Sequence, residues 1–152
     1  MNKRFAKRFP SCTEISERVA DMKKTALLNA EISHLIASLG HMDLIVIADS
    51  GLPIPKETKR IDLALTEGVP GFSQTLEAVL SELQVEKAWI ARELSAKPDG
   101  VYADLTRLLP DVELGVLAHD ELKALCKQAV AVIRTGECSP YANVVLQSGV
   151  VF

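Results

Sequence analysis

The apolar run Leu44-Ile45-Val46-Ile47-Ala48 constrains this chain more than any other feature. It is too short to cross a membrane and carries no polar residue, which is the pattern of a strand covered on both faces. Leu39-Gly40-His41-Met42-Asp43 leads into it, and Asp49-Ser50-Gly51-Leu52-Pro53-Ile54-Pro55 stops it with a glycine and two prolines. A buried strand with ionisable groups at both ends is therefore the centre of the fold and of any chemistry.

The segments around it alternate between helical and strand patterning. Asn29 is a plausible N-cap for Ile32, Leu35, Ile36 and Leu39, whose i, i+3, i+4, i+7 spacing predicts a helix ended by Gly40. Arg60 to Leu65 alternates as a strand, and Gly68-Val69-Pro70-Gly71 marks a turn. Phe72, Leu76, Val79, Leu80 and Leu83 predict a second amphipathic helix, followed by a strand over Lys87 to Ala91. Beyond the Pro98-Asp99-Gly100 turn come a helix over Val101 to Leu109, a strand over Val112 to Leu117 and a helix opened by His119-Asp120. Val130 to Ile133 and Asn143 to Leu146 complete the strands, and Val150 to Phe152 form an apolar stub. About six strands interleaved with four helices predict a three-layer α/β/α sandwich on a mixed, largely parallel sheet. In open sheets of this kind ligands bind outside strand ends, where Asp49 falls.

The 152 residues suit one core, with hydrophobic residues at 48% and charged residues at 24%. Residues 22–152 read as that single domain. Residues 1–21, with Lys3, Arg4, Lys7, Arg8 and Arg18, read as a basic extension, disordered or an over-called start before Met22, and lack the apolar stretch of a secretory signal. The alternative there is a helix over Ser11 to Met22, with Ser11 and Glu14 as a capping box. A net charge of -3 offers no footprint for nucleic acid, and no segment is long and apolar enough to span a bilayer. Cys12, Cys126 and Cys138 have no paired spacing for zinc or dithiol chemistry and read as reduced thiols in the cytoplasm.

Several residues are candidates for chemistry, each with a plainer role beside it. His41 sets an imidazole, the side chain suited to proton transfer, on a connection, or simply caps a helix C-terminus. Asp49 accepts bonds from a polyol or orients His41, or else makes an Asx-turn. Asp43 and Asp62 are weaker candidates at strand edges, and His34 reads as a surface or partly buried helix residue. His119 is a ligand contact or a helix cap, while Tyr141 is a rim aromatic and Asn143 a turn residue tolerant of left-handed geometry. Cys138 has no histidine within a few residues and is a poor nucleophile. There is no G-x-G-x-x-G, Walker loop, H-E-x-x-H or G-x-S-x-G pattern, which leaves proton chemistry without a cofactor or metal, or simple binding.

Four ordered blocks carry a resemblance: Leu39 to Asp43, Ala48 to Pro55, Arg60 to Pro70, and Ile133 to Asn143. Over about Met22 to Phe152 the chain resembles the D-ribose pyranase family, with fucose mutarotases as relatives. The resemblance implies His41 as the catalytic acid and Asp49, His119, Tyr141, Ala142 and Asn143 as the D-ribose site. It further implies a cytoplasmic decamer of two stacked pentameric rings, each pocket completed by a neighbouring subunit. The chain departs from the family pattern at Ser50, where alanine is expected, in a shorter stretch around Pro98 to Leu109, and in residues 1–21. The expected reaction interconverts β-pyranose and β-furanose D-ribose. The alternatives are a mutarotase that exchanges α and β anomers and a non-catalytic sugar-binding subunit.

Overall fold

The structure is a computed structural model that describes residues 23–152. The elements, in order, are α1 (Ala30–Ser38), β1 (Leu44–Ala48), β2 (Lys59–Asp62), α2 (Phe72–Leu80), β3 (Val85–Ala91), α3 (Arg92–Ser95), α4 (Val101–Leu108), β4 (Glu113–Leu117), α5 (His119–Cys126), β5 (Ala131–Arg134) and β6 (Val144–Ser148). The extension over residues 1–21 and the helix expected over Ser11 to Met22 lie outside the described residues.

The six strands form one sheet in the order β2-β5-β1-β6-β3-β4. β1 and β2 each run parallel to β5, and β3 runs parallel to β4; β6 is antiparallel to both of its neighbours, β1 and β3. Five strands thus point one way, and β6 alone returns against them. Burial follows position. Ile45, Val46, Ile47 and Ala48 of β1 are fully enclosed, whereas the edge strand β2 buries only Ile61.

Alternation along each strand divides the core in two. Ile45, Ile47, Ile133, Val144 and Leu146 face α1, α2 and α4, where Ile32, Leu35, Phe72, Leu76, Val79 and Leu105 pack on them. Val46, Ala48, Val132 and Val145 face the other way, toward Leu122 and Cys126 of α5 and toward Leu52 of the loop after β1. The arrangement is the expected sandwich, with one well-covered face and one covered, among the described residues, by a single helix and a loop. Burying each of the large side chains is worth roughly 1.5–3 kcal/mol. Burial pushes the Cys126 thiol up to about 11, so it stays protonated and inert.

Local chemistry sets the boundaries. The Asn29 side chain accepts from the Ile32 amide at 2.9 Å and starts α1, as its position predicts. The strand expected over Arg60 to Leu65 is corrected: it ends at Asp62, whose carboxylate accepts from the Ala64 amide, and Leu65 is exposed. α3 breaks the expected run between β3 and α4, because Arg92-Glu93-Leu94-Ser95 closes one turn that buries Leu94. Val150 to Phe152 add no strand and lie exposed. Among the described residues no helix is long and apolar enough to cross a membrane.

Candidate functional site

β1 runs from His41 toward Asp49, so its far end places Asp49 at the edge of the sheet where the five like-directed strands finish. β6 starts at that same edge because it runs against them. Ile47 pairs with Val144, Ile90 pairs with Val144, and Ala91 pairs with Leu117. Asp49, the Tyr141-Ala142-Asn143 segment, Glu93 and His119 therefore stand level across four adjacent strands. The fold gathers Asp49, Asn143, Tyr141 and His119 from residues up to 94 apart in sequence.

Asp49 and Asn143 hold each other. The Asp49 amide donates to Asn143 Oδ1 at 2.9 Å, and Asn143 Nδ2 donates back to Asp49 Oδ2 at 3.1 Å. Asp49 Oδ1 also accepts from the Gly51 amide at 2.9 Å, so the Asx-turn is present together with the pair. Each carboxylate oxygen retains a lone pair, and a carboxylate fixed in this way is a ready acceptor for sugar hydroxyls. Asn143 is fully buried and its side chain has no freedom to turn away.

His119 and Tyr141 meet edge to face, with ring centroids 5.0 Å apart and planes at 87°. His119 is not the helix cap: Ala118 holds that position, and Glu121 accepts from its amide at 2.9 Å. Tyr141, with φ of 63°, adopts the left-handed geometry that the sequence assigned more readily to Asn143. A non-glycine residue held there is strained, and such strain collects at functional sites. Ala142 is wholly buried in the core beside Tyr141 and Asn143. Two buried atoms at this edge, His119 Nδ1 and Glu93 Oε2, have no hydrogen-bond partner among the described residues. Buried polar atoms are rarely left so in a finished structure, and sequence patterning gave no reason to single out Glu93.

The neighbouring loops are braced. Arg134 donates from Nη1 to both Asp62 oxygens, at 3.0 and 3.1 Å, and from Nε to the Ser50 carbonyl. Glu137 accepts from the Phe72 amide at the start of α2 and from the Ser139 hydroxyl. Burial pushes the Glu137 carboxyl up, but bonds from the Phe72, Ser139 and Cys138 amides and the Ser139 hydroxyl outweigh it and hold the group below the usual carboxylate range. Beside the site, an open groove of about 530 Å³ separates Pro53-Ile54-Pro55 from Lys123 of α5 and Lys127 just after it. None of Asp49, His119, Tyr141 or Asn143 lines it. Cys138 is exposed, with only weak contacts to Ser50 and the Gly136 carbonyl, and His34 is exposed on α1.

His41 is not brought to this edge within one chain. It stands before β1, whose five residues at about 3.3 Å each put roughly 17 Å between it and Asp49. There its Nε2 lies 2.9 Å from Glu86 Oε2, and Gln147 donates to the other Glu86 oxygen. The bond from His41 first, and then that from Gln147, hold the Glu86 carboxyl below its ordinary value. Met42, next in sequence, has φ of 71° and is pinned by donation of its amide to the Ser148 carbonyl at 2.9 Å. Asp43 ties the same turn by accepting from the Gly40 amide at 2.7 Å. Met42 and Tyr141 are the non-glycine residues with positive φ among those described, and one adjoins each half of the proposed site.

The chain is similar to several known proteins. The sequence pattern of the RbsD / FucU transport protein family matches residues 22–151. The chain is 57% identical over 131 residues to the D-ribose pyranase of Thermoanaerobacter sp. (strain X514) and 56% identical to that of Chloroflexus aggregans, in each case covering 86% of this chain and 100% of the relative. Among solved structures, RbsD of Bacillus subtilis complexed with D-ribose superposes with a TM-score of 0.82 at 46% identity, over 86% of this chain and 100% of that one. FucU of Bifidobacterium longum, at 23% identity and a TM-score of 0.71 over 83% and 96% of the two chains, shares the fold. The chain belongs to the RbsD / FucU transport protein family.

Proposed function

We infer that this chain is an isomerase that interconverts the β-pyranose and β-furanose forms of D-ribose. The observation that carries the reading is the set Asp49, His119, Tyr141 and Asn143 on one sheet edge, in a chain 57% identical to a D-ribose pyranase. Changing ring size requires one hemiacetal to open and another to close. A proton must reach the ring oxygen O5 as the C1–O5 bond breaks, and the O1 hydroxyl proton must leave to water as the C1 carbonyl forms. After rotation about the C1–C2 bond, O4 attacks C1, its proton returns to the base, and the carbonyl oxygen is protonated. No proton is gained or lost overall. General acid–base assistance of this kind is typically worth about 10²- to 10⁴-fold.

In this reading His41 supplies the proton to O5 and recovers one from O4. Asp49, held in place by the buried Asn143, grips hydroxyls, His119 offers a further polar contact, and the Tyr141 ring forms an apolar wall with Ala142 packed behind it. Because His41 stands at the opposite end of β1, the working pocket takes its histidine from a second copy. A contact that joins one edge of a subunit to the opposite edge of the next is heterologous, and it forms a ring where the rotation closes. This supports the ring assembly, a decamer of two pentamers, that the family resemblance implies. The free thiols Cys126 and Cys138 suit the reducing cytoplasm, where the enzyme would act on incoming D-ribose.

The test is saturation-transfer NMR on D-ribose with wild type and His41→Ala. Wild type accelerates pyranose–furanose exchange and the variant does not. Undiminished exchange in the variant removes His41 from the mechanism, and exchange of α and β anomers without a change of ring size replaces the reading with a mutarotase.

A further inference from the structure

His41 alone is a poorly defined acid, since an exposed imidazole turns freely and presents either nitrogen. In this chain it does neither. Its Nε2 lies 2.9 Å from Glu86 Oε2. Glu86 is fixed in turn by Gln147, which donates to its second oxygen from the strand beside it. The backbone cooperates: Glu86 sits where the β3–β6 register shifts between Val85 and Lys87, which turns an irregular position of the sheet toward His41. On the other side the strained Met42 and the bonds from the Met42 amide to Ser148 and from the Gly40 amide to Asp43 fix the direction in which the imidazole leaves the chain. A surface ion pair needs none of this bracing.

We propose that Glu86 is a positioning residue for the isomerase reaction, holding His41 through Nε2–H so that Nδ1 is the nitrogen that meets the sugar. The proposal rests on the reading of His41 as the acid and adds to it a named second residue and a named atom. A carboxylate only accepts, so the proton between the two groups belongs to Nε2. When His41 gives its Nδ1 proton to O5, the Nε2 proton stays against Glu86, and the imidazole becomes the neutral tautomer whose Nδ1 lone pair faces the substrate. It is then oriented to take the proton from O4. Glu86 neither gains nor loses a proton in the cycle. Lys87, the adjacent cation on β3, is paired with Glu113 at 2.8 Å. Side chains of His41 and Glu86 are 49% and 35% exposed, so the pair is half in solvent until a second copy covers it.

The experiment uses the assembled full-length protein, with Glu86→Gln, Glu86→Ala and Gln147→Ala beside wild type and His41→Ala. The readouts are D-ribose exchange by NMR, ribose affinity, the ¹⁵N shifts of the His41 ring and the ¹³C titration of the Glu86 carboxyl. The expected result for Glu86→Ala is a fall in maximal exchange of about tenfold or more with ribose affinity unchanged, together with loss of the single Nε2–H signature. Gln147→Ala falls between that variant and wild type, and Glu86→Gln, which keeps an acceptor oxygen, retains more exchange than Glu86→Ala. In His41→Ala the Glu86 carboxyl titrates higher than in wild type. Wild-type exchange and an unchanged His41 signature in folded Glu86→Ala overturn the proposal while leaving His41 as the acid. Retained exchange in His41→Ala instead overturns the reading on which it rests, whatever the Glu86 titration shows.

Discussion

Replacing Asn143 by aspartate tests the buried pair that organises the site, because the side chain keeps its shape and changes only its charge. In the native arrangement Nδ2 donates to Asp49 Oδ2 across 3.1 Å. The variant sets two carboxylates at that separation in a position with no solvent access. Two unit charges so placed repel by about 5 kcal/mol at an effective dielectric constant of about 20, which is a ceiling because the pair can hold a proton instead. The shared proton restores the lost donor, so the penalty is pH-dependent. The folded variant binds more protons than its unfolded chain, and its stability therefore falls as pH rises. Relative to wild type, Asn143→Asp should lose about 2–4 kcal/mol near pH 7.5 and about 1 kcal/mol or less near pH 4.5. Urea denaturation at the two pH values measures this, with ribose affinity followed in parallel. An equal loss at both pH values, or no loss at either, refutes the direct Asp49–Asn143 contact.

Other parts of the structure give equally definite expectations. Gly136→Ala places a Cβ 2.5 Å from the Val69 carbonyl oxygen and 2.6 Å from that of Thr66, so the variant should lose about 1–3 kcal/mol in denaturant titration; wild-type stability would deny the close approach. Leu122→Ala empties the inner side of α5 where it packs on the sheet, and a loss of about 2–5 kcal/mol is expected by thermal or urea unfolding. Glu137, held below the ordinary carboxylate value of 4.5, stabilises the fold above that pH and loses its contribution as pH falls through the lower folded-state value. Glu137→Gln should therefore cost about 1–2 kcal/mol at neutral pH and flatten the acid limb of the stability curve; an unaltered acid limb counts against it.

The sheet was legible because its central strand has to be buried on both faces, and Leu44 to Ala48 reads as nothing else. The helix after Asn29 was equally plain, since cap and periodicity agree there and tertiary packing reinforces both. Edges were harder. Lys59 to Asp62 carries one buried side chain, so alternation alone prolonged that strand past the point where Asp62 turns the chain. α3 was hidden because four residues are too few to show a helical period. Of the site, the residue types and the resemblance named Asp49, His119, Tyr141, Ala142 and Asn143, and topology explains why they meet: β6 runs against its neighbours and begins where they end. Glu86 was invisible, because its pairing with His41 spans 45 residues and depends on a register shift that no local pattern announces. The distance between His41 and Asp49 was in plain view as the length of a strand, but only the arrangement in space shows that one chain leaves the two apart.

That separation makes the central claim directly testable by mixing two inactive chains. His41→Ala keeps the Asp49 edge, Asp49→Asn keeps the histidine edge, and each alone should fail to accelerate D-ribose pyranose–furanose exchange. If the pocket combines opposite edges of two copies, co-refolding the variants in equal amounts regenerates complete sites at about a quarter of positions, with NMR exchange restored to about that fraction of wild type. Exchange in the mixture no greater than in the separate variants would contradict a pocket shared between subunits.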